Sequence, residues 1–474
     1  MQVALKKQKS FKGGFIFRRL EGEPQAKLED AGVPKRLHVL LQQGQPIVKV
    51  GQRVARGQVI GEGGPALCPV HAPASGVVVE VGQREGEGNP TPVVVIELDG
   101  KSDFVPVQGA TRDVERLTPE AVQRILHEAG VSALFHEGFP SAEGGSNLSA
   151  ADVKMVAISA ISTEPFLPRP AVLLDGRVEE FAAGLRVLHQ ALPHATVVVA
   201  HSHVERQLFL DVERALGCPS WLRLHALLPK YPQEHPLVLT STLLGLRRVP
   251  LSPAKNGVLV GDVQAVLHAK EAVVDGLPVT ERVVALGGQA FEPTGYVRAK
   301  VGTPFRVLVE GRLKNQERAC IVSGGLLRGR RVADLQEPVT STTCAIAALP
   351  LVDKAELLGS FQTGSRAVSF SRAFVSALLP FARARLVANL QGERRPCVQC
   401  NYCEDVCPVG IIPHLLSKQV THNLVEETER FGIFACIECG LCSYVCPSKI
   451  DLMADIQSGK RTLLLEKEKY DQTA

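Results

Sequence analysis

Two stretches near the C-terminus decide the fold of that region: Cys397-Val398-Gln399-Cys400-Asn401-Tyr402-Cys403-Glu404-Asp405-Val406-Cys407-Pro408 and Cys436-Ile437-Glu438-Cys439-Gly440-Leu441-Cys442-Ser443-Tyr444-Val445-Cys446-Pro447. Each reads Cys-x2-Cys-x2-Cys-x3-Cys-Pro, the spacing of bacterial ferredoxins. Two intervening residues let three successive thiolates wrap one cubane from a single tight loop. The fourth cysteine lies too far along to close the same cube and starts a helix that carries it to the other one. The spacing therefore predicts two [4Fe–4S] clusters with crossed ligands. Cys397, Cys400, Cys403 and Cys446 hold one, and Cys436, Cys439, Cys442 and Cys407 hold the second. Structural zinc prefers two pairs of ligands with a longer gap between them. Here triplets followed by Cys-Pro recur unchanged, which favours iron–sulfur over zinc. The proline after each fourth cysteine ends the loop and blocks helix extension.

The other four of the twelve cysteines, Cys68, Cys218, Cys320 and Cys344, are scattered and read as small buried hydrophobes. Eight cysteines packed into fifty residues of a long chain are not a secreted disulfide framework, so a reducing compartment, the cytoplasm, is expected. The chain has 474 residues, too many for one core, and suggests three or four domains. One Trp and five Tyr give few stacking platforms, which argues against a single-stranded nucleic-acid binder. A net charge of +4 spread along the chain points to no particular partner. Met1 to Phe17 carries lysines and no apolar stretch, so no secretory signal is expected. No apolar run approaches the ~18 residues that cross a bilayer, so any membrane association would come through a partner.

Upstream of the cysteines the period of the pattern changes twice. Val48 to Gly61 alternates with glycines at the turns, His71-Ala72-Pro73-Ala74-Ser75-Gly76 interrupts, and Val77 to Val81 resumes. Two such halves suggest a small sandwiched barrel of the biotinyl/lipoyl type, without a lysine placed for lipoylation. Thr118-Pro119-Glu120 then opens a helix, with a capping Thr, Pro in the first turn and an acid behind it. Val153 to Ala160 and Ala195 to Ala200 read as buried strands, and Glu179 to Leu192 as a helix between them. That alternation suggests an α/β layer with parallel pairing. From 246 to 350 strands return, at Gly257 to Gly261, Glu281 to Gly288 and Arg306 to Val309, with one short helix near Asp262 to Ala272. From about Lys354 onward the chain reads as helical apart from the cysteine loops. His201 and His203 read as surface histidines, and Arg328-Gly329-Arg330-Arg331 as a solvated loop or a docking patch for an acidic redox partner.

Taken in order, several short segments resemble a known family. They are Phe11-Lys12-Gly13-Gly14, Val48 to Gly51, His71 to Gly76, Glu164-Pro165, Arg282-Val283-Val284, Thr340-Ser341-Thr342-Thr343 and both cysteine motifs. Together they are similar to the C subunit of the Rnf ion-translocating electron-transport complex. They are also similar to the related A subunit of the sodium-pumping NADH:quinone reductase. The C-terminal region is Rnf-like; Ala157 to Leu188 and Thr280 to Gly325 read closer to the reductase subunit, which lacks clusters.

The resemblance implies a multidomain fold of mixed α/β and α+β class. Its expected parts are an N-terminal arm (1–37), a barrel-sandwich hybrid (38–108), a Rossmann-like α/β domain (109–245), a β-grasp, SLBB-like domain (246–350) and a helical ferredoxin-like dicluster domain (351–474). It implies a peripheral electron-transfer subunit on the cytoplasmic side of the inner membrane. Integral-membrane subunits would be its partners, with a soluble redox carrier or flavin-bearing subunit as donor or acceptor. The rival readings are a soluble iron–sulfur flavoprotein akin to cobalamin reductases, and a scaffold whose clusters only hold the fold.

The family's flavin loop reads Gly-x-x-Gly-x-Gly-Gly-x-Gly-Phe-Pro-Thr. The corresponding run here is Gly130-Val131-Ser132-Ala133-Leu134-Phe135-His136-Glu137-Gly138-Phe139-Pro140-Ser141. Gly130, Gly138 and Glu164 remain as a degenerate flavin or nucleotide site. Ala133, Phe135 and His136 stand where glycines are needed, and the expectation is that flavin mononucleotide is not held.

Overall fold

The computed structural model describes residues 10–17, 20–41, 44–62, 68–84, 90–141, 148–315, 318–351, 370, 386, 388 and 394–473. Much of the run from Lys354 expected to be helical, up to residue 393, lies outside these. Between Arg36 and Leu98 two antiparallel sheets face each other. One holds Arg36–Leu40, Thr91–Leu98, Gly76–Arg84 and Arg53–Val54; the other holds Gln45–Pro46, Val59–Glu62 and Val70–His71. Alternate residues of Arg36–Leu40 point inward, so Leu37 and Val39 meet Val54, Ile60, Val78 and Ile96 in a small apolar core. This is the sandwiched barrel that the alternating pattern predicts.

The next layer is a four-stranded parallel sheet in spatial order Leu222–Leu227, Thr196–Ser202, Met155–Ala160, Val258–Asp262. Its strands are apolar almost throughout because both faces are covered. Val156, Ile158 and Ala160 face the helices Pro119–Glu128, Val178–Ala191 and Val263–Asp275, while Ala157 and Ile161 face Pro236–Leu244. Thr118 caps its helix as expected, its Oγ1 accepting from the Ala121 amide at 3.3 Å. Gly184 lets two of these helices touch: a β-carbon there would lie 2.2 Å from the Val266 carbonyl oxygen. The strand Val258–Asp262 and the helix after it, expected in the unit beginning at 246, belong to this layer instead. The strand's hydrogen-bond partner is Met155–Ala160, about a hundred residues upstream, a pairing that no local pattern reveals.

The third unit is a mixed six-stranded sheet, in the order Leu28–Asp30, Gly295–Lys300, Glu281–Gly287, Ala345–Pro350, Ala319–Ser323, Arg330–Arg331. Part of the expected N-terminal arm is thus its edge strand. Arg306 to Val309, expected as a strand, lies in the helix Phe305–Val309. Pro304 is extended at its start, and Phe305, Leu308 and Val309 are buried at helical spacing while Arg306 is exposed. The cysteine-bearing region is helical: Tyr402–Asp405, Pro413–Thr421, Val425–Arg430, Leu441–Val445 and Leu452–Thr473.

Candidate metal centre

The two cysteine loops have the same local geometry. Gln399 and Asn401 in the first, and Glu438 and Gly440 in the second, have φ of +53°, +61°, +54° and +73°. A left-handed conformation costs a non-glycine residue about 1–2 kcal/mol, so three of these positions store strain. The curl turns backbone amides toward sulfur: Gln399 N donates to Cys397 Sγ and Glu438 N to Cys436 Sγ, each at 3.4 Å. A short helix follows each curl and buries Cys403 and Cys442.

The quartets that line the two cavities are crossed between motifs. One cavity is lined by Cys407, Cys436, Cys439 and Cys442, with Val409, Ile411, Leu441 and Ile456 around them. A second is lined by Cys397, Cys400, Cys403 and Cys446, with Asn401, His414 and Ser448. His414, which no sequence motif singles out, sits with Nδ1 3.7 Å from Cys403 Sγ. Among the described residues no three His, Cys, Asp or Glu side chains converge on a point that would hold a single ion. Four cysteines line each of the two cavities instead. Burial pushes the thiols of Cys403 and Cys439 up to about 11 and about 12, and raises Cys407, Cys436 and Cys442 as well. Buried thiols left protonated would gain little there; bound iron would replace their protons and stabilise the thiolates.

Three contacts dock these loops onto the rest of the chain. The segment Phe11–Phe17 runs between them: Gly14 N donates to Val406 O at 2.8 Å, and Phe15 exchanges backbone hydrogen bonds with Tyr231. Gly13, at φ +74°, has no room for a side chain, since a β-carbon would lie 2.5 Å from the Cys407 carbonyl oxygen. The buried Tyr231 hydroxyl donates to the Cys439 carbonyl at 2.7 Å. Leu327 O comes within 2.8 Å of where a Gly440 β-carbon would be. Within the cluster region itself, Lys460 donates to Cys436 O at 2.6 Å and pairs with Glu438 at 2.7 Å.

The residues expected to form a degenerate flavin site serve three local contacts. Gly130, at φ +80°, turns the chain at the end of Pro119–Glu128, its amide donating to His127 O. Gly138, at φ +78°, closes a tight turn on Phe135 O. Between them Phe135 is buried edge-on to Phe139, and its ring would meet a β-carbon on Gly261 at 2.5 Å. His136 bridges Val260, and Glu137 accepts from Ser252 and the Ala254 amide. Glu164 is fully buried; it accepts from the amides of Leu327 (2.8 Å) and Arg328 (3.0 Å) and pairs with Arg328 Nε at 3.1 Å.

The basic run is exposed as expected, though its first arginine is paired, and of the two histidines only His201 departs from the surface. Arg328 pairs with the buried Glu164 yet remains exposed, Arg330 pairs with Glu337, and Arg331 is exposed. His201 is buried, with Nδ1 2.9 Å from Ser202 O and its ring stacked on Phe209; His203 is exposed, and so is Cys218.

Comparison with known proteins agrees with this layout. Residues 9–101 match the RnfC barrel sandwich hybrid domain, 283–334 the NQRA C-terminal domain and 396–451 a 4Fe-4S dicluster domain. Over 424 residues the chain is 29% identical to the C subunit of the ion-translocating oxidoreductase complex of Klebsiella pneumoniae (strain 342), covering 84% of this chain and 51% of that protein. These matches make the chain similar to the RnfC/NqrA family. The corresponding C subunit of Edwardsiella ictaluri (strain 93-146) is also 29% identical, over 81% of this chain and 45% of its own length. The chain thus spans about half the length of the curated relatives it matches. Crystal structures of an NAD+-reducing [NiFe]-hydrogenase align with TM-scores of 0.44 and 0.42 at 14% and 15% identity. They cover 74% and 72% of this chain and 66% of the hydrogenase chain, a likeness too loose to carry an argument. The match to a dicluster domain supports iron–sulfur clusters in this chain.

Proposed function

We propose that this chain is a peripheral electron-transfer subunit of a membrane-bound, ion-translocating oxidoreductase complex of the Rnf/Nqr type, relaying electrons through two [4Fe–4S] clusters. The observation that carries this is the pair of cavities, each ringed by four cysteines drawn crosswise from both motifs. Cys407, Cys436, Cys439 and Cys442 would hold one cluster, and Cys397, Cys400, Cys403 and Cys446 the other. Cubanes supply reversible one-electron transfer when bound. The protein fixes the thiolates, aims amides at sulfur and surrounds one cavity with aliphatic side chains.

The parallel sheet, in which the fourth strand returns beside the first, is our Rossmann-like unit. Its order reverses between Met155–Ala160 and Val258–Asp262, where such sheets usually bind ligands. Here Phe135 packs on Gly261 and Arg328 caps Glu164, which supports a chain that holds no flavin mononucleotide. Electrons would then enter from a one-electron carrier or a flavin on another subunit. Among the described residues no helix is long and apolar enough to cross a membrane. Attachment to the cytoplasmic face of the inner membrane would come through integral-membrane subunits, as the complexes named for its relatives suggest.

The test is reduction of anaerobic protein by two donors. A reduced ferredoxin should bleach the iron–sulfur absorbance within one turnover. NADH should not do so, even after incubation with flavin mononucleotide and desalting, and no flavin should remain bound. Stoichiometric flavin retention with rapid bleaching by NADH would overturn the flavin-free relay.

A further inference from the structure

The relay reading leaves one polar cluster unused. Glu234, two residues past Pro232 on the segment that carries Tyr231, is partly buried beside Glu164. It accepts the Glu164 amide at 2.9 Å and the Thr163 hydroxyl. Arg328 pairs with Glu164 at 3.1 Å, and its positive charge also acts on Glu234. The same small volume abuts the second cysteine loop twice, through Tyr231 Oη on Cys439 O and through Leu327 O on Gly440. The link from Glu234 to the cysteines is thus indirect, through Tyr231 and the Glu164–Arg328 pair.

Resting on the two-cluster reading, we propose that Glu234 is a proton acceptor coupled to the cavity of Cys407, Cys436, Cys439 and Cys442. In this scheme Glu234 takes up one proton when one electron enters that cavity. The step balances: the electron comes from a one-electron carrier, the proton comes from solvent, and the new O–H bond is on the Glu234 carboxyl. Glu234 is partly exposed, so solvent protons can reach it. Added negative charge near Cys439 raises the cost of a second anion in a poorly solvated site, and protonation removes it.

The neighbouring groups leave this role to Glu234. Arg328 is held in its charged form by Glu164, Tyr231 and Glu234 against the cost of burial. Burial raises Tyr231, so its hydroxyl keeps its proton and remains the donor to Cys439 O. Burial pushes His235 down to about 3 and lowers His136, so neither carries charge at neutral pH. Glu164 is engaged by three donors at once. Glu234 has its hydroxyl and amide donors and the Arg328 charge, yet burial, opposed by these, lifts it from 4.5 to about 7. Its charge state therefore changes where cells operate. The sign follows from linkage: reduction raises the proton affinity, so the midpoint potential falls with rising pH between the oxidised-state and reduced-state values.

The experiment is a spectroscopic redox titration of the anaerobic wild-type holoprotein from about pH 6 to 9. Above about 7, where Glu234 begins to lose its proton, one of the two midpoints should fall. The reduction equilibrium should weaken by up to tenfold per pH unit, which is ~59 mV for one electron. The other midpoint should stay flat. Glu234→Gln should abolish the slope while both cubane signals persist. Infrared difference spectra should gain a carboxylic C=O band on reduction in the wild type and lose it in E234Q. Two flat midpoints in the wild type would overturn the proposal, and so would a slope that survives E234Q. Absence of cubane signals would sink the underlying relay instead, so the two failures are distinguishable. Should E234Q fail to load clusters, the wild-type titration and its infrared band decide alone.

Discussion

Arg328→Leu should destabilise the central part of the chain by about 1–3 kcal/mol, the cost of leaving the buried Glu164 carboxylate without its charged partner. That is less than for a fully buried pair, because Arg328 itself is partly solvated. Glu164 has no exposed side-chain surface, whereas Arg328 keeps about a third of its own, 31%. Removing the guanidinium leaves that carboxylate with two amide donors and no counter-charge. The nearby Glu234 makes it worse, because the two carboxyls then repel without the Arg328 charge beside them. Trp221, the chain's one tryptophan, sits at the start of the edge strand of the parallel sheet and stacks on His189. Its fluorescence in a urea titration therefore reports this region. The double variant Arg328→Leu, Glu164→Gln should recover most of the loss, since the buried Glu164 charge is then gone. An Arg328→Leu midpoint equal to wild type would show that the pair carries no net stabilisation.

Cys407→Ser should empty the cavity of the other motif. Cys407 lies in the first motif, yet it lines the cavity of Cys436, Cys439 and Cys442. Loss of this thiolate should reduce iron by about half and remove one of two cubane signals, leaving the signal of the first loop. Cys446→Ser should do the reverse, because Cys446 lines the cavity of Cys397, Cys400 and Cys403. Adding Cys439→Ser to Cys407→Ser should lower iron no further, whereas adding Cys400→Ser should remove the rest. If each serine variant lost the cluster of its own loop, the crossed arrangement would be wrong.

The cysteine quartets are readable from the sequence because their geometry is set within twelve residues. Two-residue gaps fix which thiols share a loop, and the third gap sends the last one across. The barrel and the capped helix at Thr118 are legible for the same reason: their signals are alternation and capping, both local. What stays hidden depends on distant partners. Val258–Asp262 looks like any short apolar strand until Met155–Ala160 is beside it. Phe305–Val309 is too short for five apolar and basic residues to reveal their period. Arg328 reads as part of a basic surface run because its partner, Glu164, is 164 positions away. Tyr231 and Glu234 carry no motif; a run as polar as Lys230-Tyr231-Pro232-Gln233-Glu234-His235 ahead of an apolar helix is the available hint. Gly130, Gly138 and Glu164 keep the family's residue types while taking up contacts that belong to turns and an ion pair.

The central claim is that this chain carries two cubanes that exchange electrons. Its most direct test is iron and acid-labile sulfide analysis of anaerobically reconstituted protein, with electron paramagnetic resonance before and after one-electron reduction. The account predicts roughly eight irons and eight sulfides per chain, four of each per cubane, and signals from two reduced [4Fe–4S] clusters. Four irons or fewer after full reconstitution, zinc in their place, or clusters that cannot be reduced would contradict it.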